Sequence, residues 1–542
     1  MYKMKKLAFL LASAVFGTAP HAATPTAAAS PAFDVMEYVV EGNTVLSNEL
    51  IERALEPYLG PGKNFKDIEA ARTALEKVYQ DSGFLSVVVS LPNQRVDSGE
   101  VKLEVTEASV EKVSVSGAKF HLPSDIKAKV PSLAAGQVPY FPQVQEELAQ
   151  LQSADQQVTP LIGAGDEPGK IQIDLKVEDK LPWHGSIEGN THQSFNTRRG
   201  RLEAVVSYSN LWQMGHTLGA SWQYAPTRPA DANTLTLIYG LPLSRTDDLN
   251  FSVTDSRSDT PTNTSLGGQT LTRGRFYGLR WQHQLDDLEW PVRHSLYGSL
   301  DYKDNRDSNQ DIGGFTTAKP PLRYPVLSWG YNLSWLGTQN EQVTANTSWA
   351  TSSGAVAGRE VDCSGRRLDQ FECKRAGSSP DFLVWKAGLG LRTPVWRKWQ
   401  INVHGDAQIA SGPLASGEQY SLGGVDTVRG YYDAEQAGDM GWAARLELIS
   451  PPWSPVTNWS VTGLAFHDRG FVLLKDPLPG QKSRNKLASV GLAWRAENNR
   501  GLQVSLDLAL PLIETQRAAD SGAYESATKR RVRGDLSVRQ SF

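Results

Sequence analysis

Two textures divide the chain. Before residue 180, apolar positions recur at helical spacing between short alternating runs; after Trp183 the helical spacing disappears and period-two segments follow one another. In the first part a strand is predicted over 35–40, followed by the turn Glu41-Gly42-Asn43-Thr44. Ser47 then offers an N-cap for a helix over 48–59, with Leu50, Ala54 and Leu55 on one face. A second helix fits 67–80, where Ile68, Ala71, Leu75, Val78 and Tyr79 fall at helical spacing and Ser82-Gly83 stops it. Strands over 85–91 and 100–107 complete a β-α-α-β-β order. The order recurs with a strand over 110–116, helices over 123–129 and 142–152, and strands over 156–162 and 170–178. A tandem repeat with a period of about 75 residues says more than either half alone. It divides the first part into small α/β modules over 33–107 and 108–180.

Beyond Trp183 the alternation is regular. His216, Leu218, Ala220, Trp222 and Tyr224 oppose Thr217, Gly219, Ser221 and Gln223. Ile401, Val403, Gly405, Ala407 and Ile409 alternate with Gln400, Asn402, His404, Asp406 and Gln408, and Leu502, Val504, Leu506, Leu508 and Leu510 with Gln503, Ser505, Asp507 and Ala509. A soluble β-sandwich also alternates. Here, however, the segments run about ten residues, aromatics cluster at their ends and polar loops are very uneven, as in a transmembrane antiparallel β-barrel. Residues 183–542, at about 20 to 25 per strand and loop, make about 14 to 18 strands. The chain closes on the alternation Leu536, Val538, Gln540, Phe542, a terminal strand suited to pairing with the first strand and to serving as a barrel assembly signal.

Composition removes other classes. The chain has 542 residues, 40% of them hydrophobic and 21% charged, with 15 Trp and a net charge of −4. Outside the N-terminus no apolar run approaches the ~18 residues of a spanning helix. The charge gives no case for nucleic acid. Lys3, Lys5 and Lys6 precede an apolar run over 7–17 and small residues to Ala23, the pattern of a signal peptide over 1–23. With only 2 Cys, a disulfide framework is ruled out. In an exported chain Cys363 and Cys373, ten apart in a polar stretch, suit a loop-closing disulfide better than a metal or redox site, two free thiols being the alternative.

Searches for catalytic patterns are mostly empty. G-x-S-x-G and H-E-x-x-H are absent. The run Gly163-Ala164-Gly165-Asp166-Glu167-Pro168-Gly169-Lys170-Ile171 only superficially resembles a phosphate loop; Ala164 replaces a required Gly and Ile171 the Ser/Thr, so a hairpin turn is expected. No enzyme activity, cofactor or metal is expected. The informative stretch runs from Ser421 through Val428-Arg429-Gly430-Tyr431 to Gly441, and enters a strand with Arg445 and Glu447. A second motif follows as Phe466-His467-Asp468-Arg469-Gly470.

These two motifs, in this order after tandem modules and before a terminal Phe542, resemble the two-partner secretion transporters of the haemolysin activation/secretion family (ShlB/FhaC/HecB type), in the POTRA-plus-barrel superfamily. The resemblance covers essentially the mature chain. It implies two POTRA modules, then a barrel of 16 strands over 183–542 whose loop at about 420–440 tucks back into the lumen with Arg429 at its tip. An arginine inside a barrel needs a partner. Phe466, Asp468 and Gly470 share a strand face, so a lumenal Arg429–Asp468 pair is expected, with Gly430 turning the tip, Tyr431 against the wall, and Arg445 and Glu447 supporting. His467 and Arg469 would then face outward, near a membrane interface.

The implied function is an outer-membrane pore of a Gram-negative bacterium, its POTRA modules in the periplasm, that recognises an unfolded passenger and moves it to the cell surface. Implied partners are a large β-helical exoprotein, outer-membrane lipids and the assembly machinery of that membrane, without nucleic acid. The alternatives are an assembly factor of the same superfamily or, further off, a passive porin. Family members often carry an N-terminal plug helix, but here only residues 24–32 lie between the expected cleavage site and Phe33. Closure by the loop alone, or a dispensable plug, is therefore expected.

Overall fold

Gly42 and Gly117 hold the same place in two successive modules. Both have positive φ (90° and 80°), and a Cβ on either would lie 2.3 Å from a backbone carbonyl, that of Val105 or of Val177. The close approach requires glycine on steric grounds. Two residues beyond each valine stands a carboxylate with one task. Glu107 accepts hydrogen bonds from the N–H groups of Thr44 and Val45 at 2.7 and 3.0 Å. Asp179 accepts them from Lys119, Phe120 and His121 at 2.7, 2.7 and 3.0 Å. The repeat thus reaches down to individual backbone contacts.

The computed structural model describes residues 32–95, 98–195, 197–258, 262–263, 270–271, 273–285, 292–306, 308–312, 315–479, 481–518 and 524–542. The leader expected over 1–23 lies outside them. The chain separates into two compact units, Met1–Lys180 and Leu181–Phe542.

In the first unit each module packs two helices on a three-stranded sheet. The first sheet places Glu100–Glu107 between Glu37–Glu41, parallel to it, and Val87–Ser90, antiparallel. The second places Lys170–Asp179 between Ser109–Ser116 and Gln156–Ala164 in the same way. The helix Phe65–Asp81 begins at Asn64, which forms a capping box with Asp67, and buries Ile68, Ala71, Leu75 and Tyr79. The expected helix over 48–59 is shorter: Asn48–Leu55 continues as a 3₁₀ turn Glu56–Tyr58, because Pro57 cannot supply an N–H to prolong the ladder. Its buried face is Ile51 and Leu55, not Leu50, which is exposed, and Ser47 occupies the N-cap without a side-chain bond. A two-stranded pairing of Phe33–Val35 with Gly60–Lys63 lies outside the expected elements, since Gly60-Pro61-Gly62 carries no side-chain alternation; the Gly62 N–H also reaches the Asp34 carboxylate at 3.0 Å.

The second unit is a closed antiparallel barrel of sixteen strands. It runs from Trp183–Asn190 to Arg533–Ser541, and these two pair to close the ring. Phe542 and Gly185 exchange backbone hydrogen bonds at 2.9 and 3.0 Å, and the Phe542 ring occupies the space a Gly185 side chain would need. The alternation in sequence becomes two faces. Leu218 and Trp222, Val403 and Ile409, and Leu508 and Leu510 are exposed on the outer wall. Tyr324, Asp468 and Asp507 are buried in the interior. Connections at the end where Trp183–Asn190 begins are short, such as 212–215, 337–341 and 499–501, whereas those at the other end reach 353–381 and 411–439. Uneven loops of this kind distinguish the two ends of membrane barrels.

Candidate functional site

The connection 411–439 departs from the wall after Gln400–Ala410 and returns as Met440–Ile449. It carries a short ladder, Tyr420–Leu422 against Gln436–Gly438, which leaves 423–435 as its tip. Val428 and Tyr431 are buried there with Tyr420, Leu422, Ala443, Val472 and Leu487. Gly430 takes φ of 87° and packs against Ala509 and Pro511, where a β-carbon would crowd both. Tyr431 donates its hydroxyl to the carbonyls of Ala488 and Ile513, each at 2.8 Å, fixing the tip to one wall strand and to the connection just beyond the next.

Between these anchors Arg429 points into the wall and is 3% exposed. Its Nε and Nη2 meet Asp468 at 2.7 Å each, the two-pronged geometry that suits a guanidinium to a carboxylate. Its backbone N–H reaches the same carboxylate at 3.1 Å. Nη1 lies 2.8 Å from Glu447 and 3.6 Å from Asp507, which also takes Arg495 at 2.7 Å. The guanidinium lies over the Phe466 ring, 3.6 Å from its centre. A buried cation is costly unless paired and hydrogen-bonded, and here three carboxylates and an aromatic face meet it.

Of the residues singled out from sequence, the structure brings together Arg429, Phe466, Asp468 and Glu447. Gly470 faces the same interior, where a Cβ would lie 2.4 Å from Leu422. Arg445 stands beside this group and donates to the Val425 carbonyl at 3.3 Å. His467 and Arg469 are exposed on the outer face. Phe542 lies apart, at the seam. Sequence reasoning missed Asp507 and Arg495, whose only signal was a charge at an inward position of an apolar strand.

It also missed the roots of the loop. Asp439, fully buried, accepts from Arg375, from the N–H of Leu414 at 2.9 Å and from that of Lys475 at 2.7 Å. Glu418 takes Lys303 at 2.6 Å and the Tyr324 hydroxyl at 2.7 Å. Glu435 receives the hydroxyls of Thr515 and Thr528. Arg375 belongs to the neighbouring connection 353–381, where Cys363 and Cys373 are joined by a disulfide and Phe371 is buried against Tyr324, Phe382 and Leu414. Two long loops are thereby clasped together at one end of the barrel.

Comparison with known proteins places this arrangement. A model of the ShlB-type POTRA domain matches residues 33–108. A second, for the haemolysin secretion/activation protein ShlB/FhaC/HecB, matches 322–496, the stretch holding both motifs. The outer membrane transporter CdiB of Escherichia coli is 24% identical over 524 residues, covering 92% of this chain and 82% of its own. The heme/hemopexin transporter protein HuxB of Haemophilus influenzae is 21% identical over 500 residues, with 89% and 83% covered. Among solved structures, CdiB from Escherichia coli superposes with a TM-score of 0.59 at 20% identity over 96% of this chain and 93% of its own. BamA from Haemophilus ducreyi lacking POTRA domains 1–3 gives 0.57 at 15%, over 94% and 100%, a likeness of fold. Both family models and relatives matched along most of their length fall on one chain, which is homologous to the two-partner secretion transporters of the outer membrane such as CdiB and HuxB.

Proposed function

We propose that this chain captures an unfolded passenger protein on the sheets of residues 33–107 and 108–180, held in the periplasm as two POTRA modules, and passes it through the barrel by displacing the loop that carries Arg429. The observation that carries this reading is the charged latch itself. A wall that only needed filling would use apolar side chains, whereas Arg429 with Asp468, Glu447 and Asp507 is a contact that water or a passenger can compete for. Capture is supported by the edge strand Gln156–Ala164, on which Leu161 and Ile162 are half exposed. An open edge accepts an added strand through backbone hydrogen bonds, with modest demand on its sequence.

The passenger is a large β-helical exoprotein whose folding outside the cell biases its movement, and no catalytic step is assigned to the transporter. Its own insertion relies on the outer-membrane assembly machinery reading the terminal strand that ends in Phe542. The test joins the loop to the wall by a disulfide, through Leu422→Cys with Gly470→Cys, where a Cβ on Gly470 would reach the space the Leu422 side chain fills. Secretion should stop when the bond is oxidised and resume on reduction. Secretion at the normal rate with the bond intact would rule out displacement.

A further inference from the structure

Two rows of inward side chains run side by side along the wall and end on the latch. They cross the strands Gln342–Ser352, Phe382–Pro394, Gln400–Ala410, Met440–Ile449 and Trp459–Leu473. In the first row Thr344, Gly390, His404, Arg445 and Asp468 stand directly across from one another. In the second, two residues nearer the short connections, the order is Gln342, Arg392, Asn402, Glu447 and Phe466. Asp468, Glu447 and Phe466 hold Arg429, and the rest of the two rows lines a pocket of about 230 Å³ on the lumen.

The pocket exists because Gly390 lacks a side chain; a Cβ there would lie 2.5 Å from the Thr344 hydroxyl oxygen. Two guanidiniums, an imidazole and a hydroxyl surround that gap. Neither Arg392 nor Arg445 forms an ion pair among the described residues. Arg392 Nε donates to Gln400 at 2.7 Å, and Arg445 gives its one hydrogen bond to the Val425 carbonyl at 3.3 Å. The Thr344 hydroxyl and the His404 ring make no hydrogen bond among the described residues, and His404 Nε2 lies 3.9 Å from Asp406. The four strands bordering the pocket carry two carboxylates, both engaged. Asp406 takes the Tyr420 hydroxyl, and Glu447 takes Asn402 and Arg429 at 2.8 Å each. Glu341, in the adjoining turn, accepts the Gln339 N–H at 2.9 Å. A guanidinium fork matches the two oxygens of a carboxylate. The space is below the ~300–1,000 Å³ of sites that enclose a whole small molecule, and suits a group at the end of a side chain.

We propose that this pocket receives an acidic side chain of the passenger's extended chain before that chain reaches the latch. The inference rests on the transport reading, which brings the passenger into the lumen. A free inorganic anion offers related chemistry, but the pocket lies between the short connections and the loop tip, on the rows that lead to the latch. That place favours a carboxylate carried by the moving chain.

The test uses the full chain in detergent and follows the fluorescence anisotropy of rhodamine-labelled peptides. The probes are an unstructured Gly/Ser peptide with spaced glutamates, the same peptide with glutamines in their place, and sodium sulfate as competitor. The glutamate peptide should bind about tenfold more tightly, the factor that one charge-assisted contact supplies. Arg392→Gln should remove that advantage and leave binding of the glutamine peptide unchanged. Gly390→Ala, which fills the pocket without altering charge, should do the same. Arg397→Gln, in the exposed turn between the two strands, removes an equal charge outside the pocket and should keep the advantage. Equal binding of both peptides to the parent, or an undiminished advantage in either folded pocket variant, would overturn the proposal. So would displacement of the glutamate peptide by sulfate at equal concentration, which marks a free-anion site. Should one pocket variant fail to fold, judged by heat-modifiable gel mobility, the other decides. Binding is read with no passenger moving, so a failure here and normal secretion with the loop tied to the wall are separate results.

Discussion

Phe466 lies beneath Arg429, its ring centre 3.6 Å from the guanidinium carbon, while Gly491 on the next strand leaves the room that ring occupies. A Cβ at Gly491 would stand 2.3 Å from Phe466. The latch is therefore built from a cation, a carboxylate, an aromatic face and a missing side chain. Gly491→Ala would also press on the Leu508 carbonyl, 2.2 Å away, and strain the wall, so Phe466→Leu is the cleaner change: it should remove the aromatic face and loosen the loop without touching a charge. Single-channel recordings should show more frequent opening, with the folded barrel still heat-modifiable on gels. A closed channel identical to the parent would show that the ring plays no part.

Arg429→Ala removes the cation and leaves Asp468, Glu447 and Asp507 facing one another. Breaking a buried pair by deleting one partner costs about 3–5 kcal/mol, enough to release the tip. Secretion should fall and proteolysis within 423–435 should rise. Arg429→Lys keeps a charge but not the two-pronged contact, so an intermediate effect is expected. Equal protease resistance in all three proteins would count against the latch.

Asp439 gathers Arg375 and the N–H groups of Leu414 and Lys475 about one buried carboxylate. Asp439→Ala should therefore free both 411–439 and 353–381, whereas replacing Cys363 and Cys373 by Ser should loosen only the second. The disulfide closes a loop of ten residues, worth about 2–3 kcal/mol on chain-entropy grounds. Mapping hydrogen exchange over the two connections separates these outcomes.

Asp179 ties the second module to pH. Burial opposes its ionisation, but the N–H groups of Phe120, Lys119 and His121 and the His121 ring outweigh that and hold the carboxyl below its usual range. Unfolded, it titrates near ~3.9. The unfolded chain thus takes up the proton more readily, so this contribution to stability is complete above about pH 4 and is lost as pH falls through the lower folded value. Pepsin cleavage within 108–180 should accelerate over that window. Asp179→Asn should be cut faster near pH 5 and converge with the parent at the acid end.

The sequence carried the barrel and the centre of the latch because both are local. Period-two alternation is set by the pleat, and the pairing of Asp468 with Arg429 follows once the resemblance carried by two short motifs puts the loop inside the barrel, because a buried cation needs a partner. Asp507 was hidden because one charge at an inward position looks like any other wet side chain. The Arg375–Asp439 and Lys303–Glu418 contacts join residues 64 and 115 apart, and no periodicity records such distances. The misplaced Leu50 has a related cause. Leu50 and Ile51 are adjacent apolar residues, and which one turns inward depends on the sheet beneath the helix.

Both ends of the 411–439 connection are rooted in barrel strands, Gln400–Ala410 and Met440–Ile449. A displaced tip consequently never leaves. Its concentration at its own seat stays in the ~mM range typical of tethered partners, so resealing is a first-order event whose rate is indifferent to how many transporters the cell contains. The interval during which an empty channel leaks is then set by the loop's own relaxation, and the membrane's permeability after each passage becomes a property of one polypeptide.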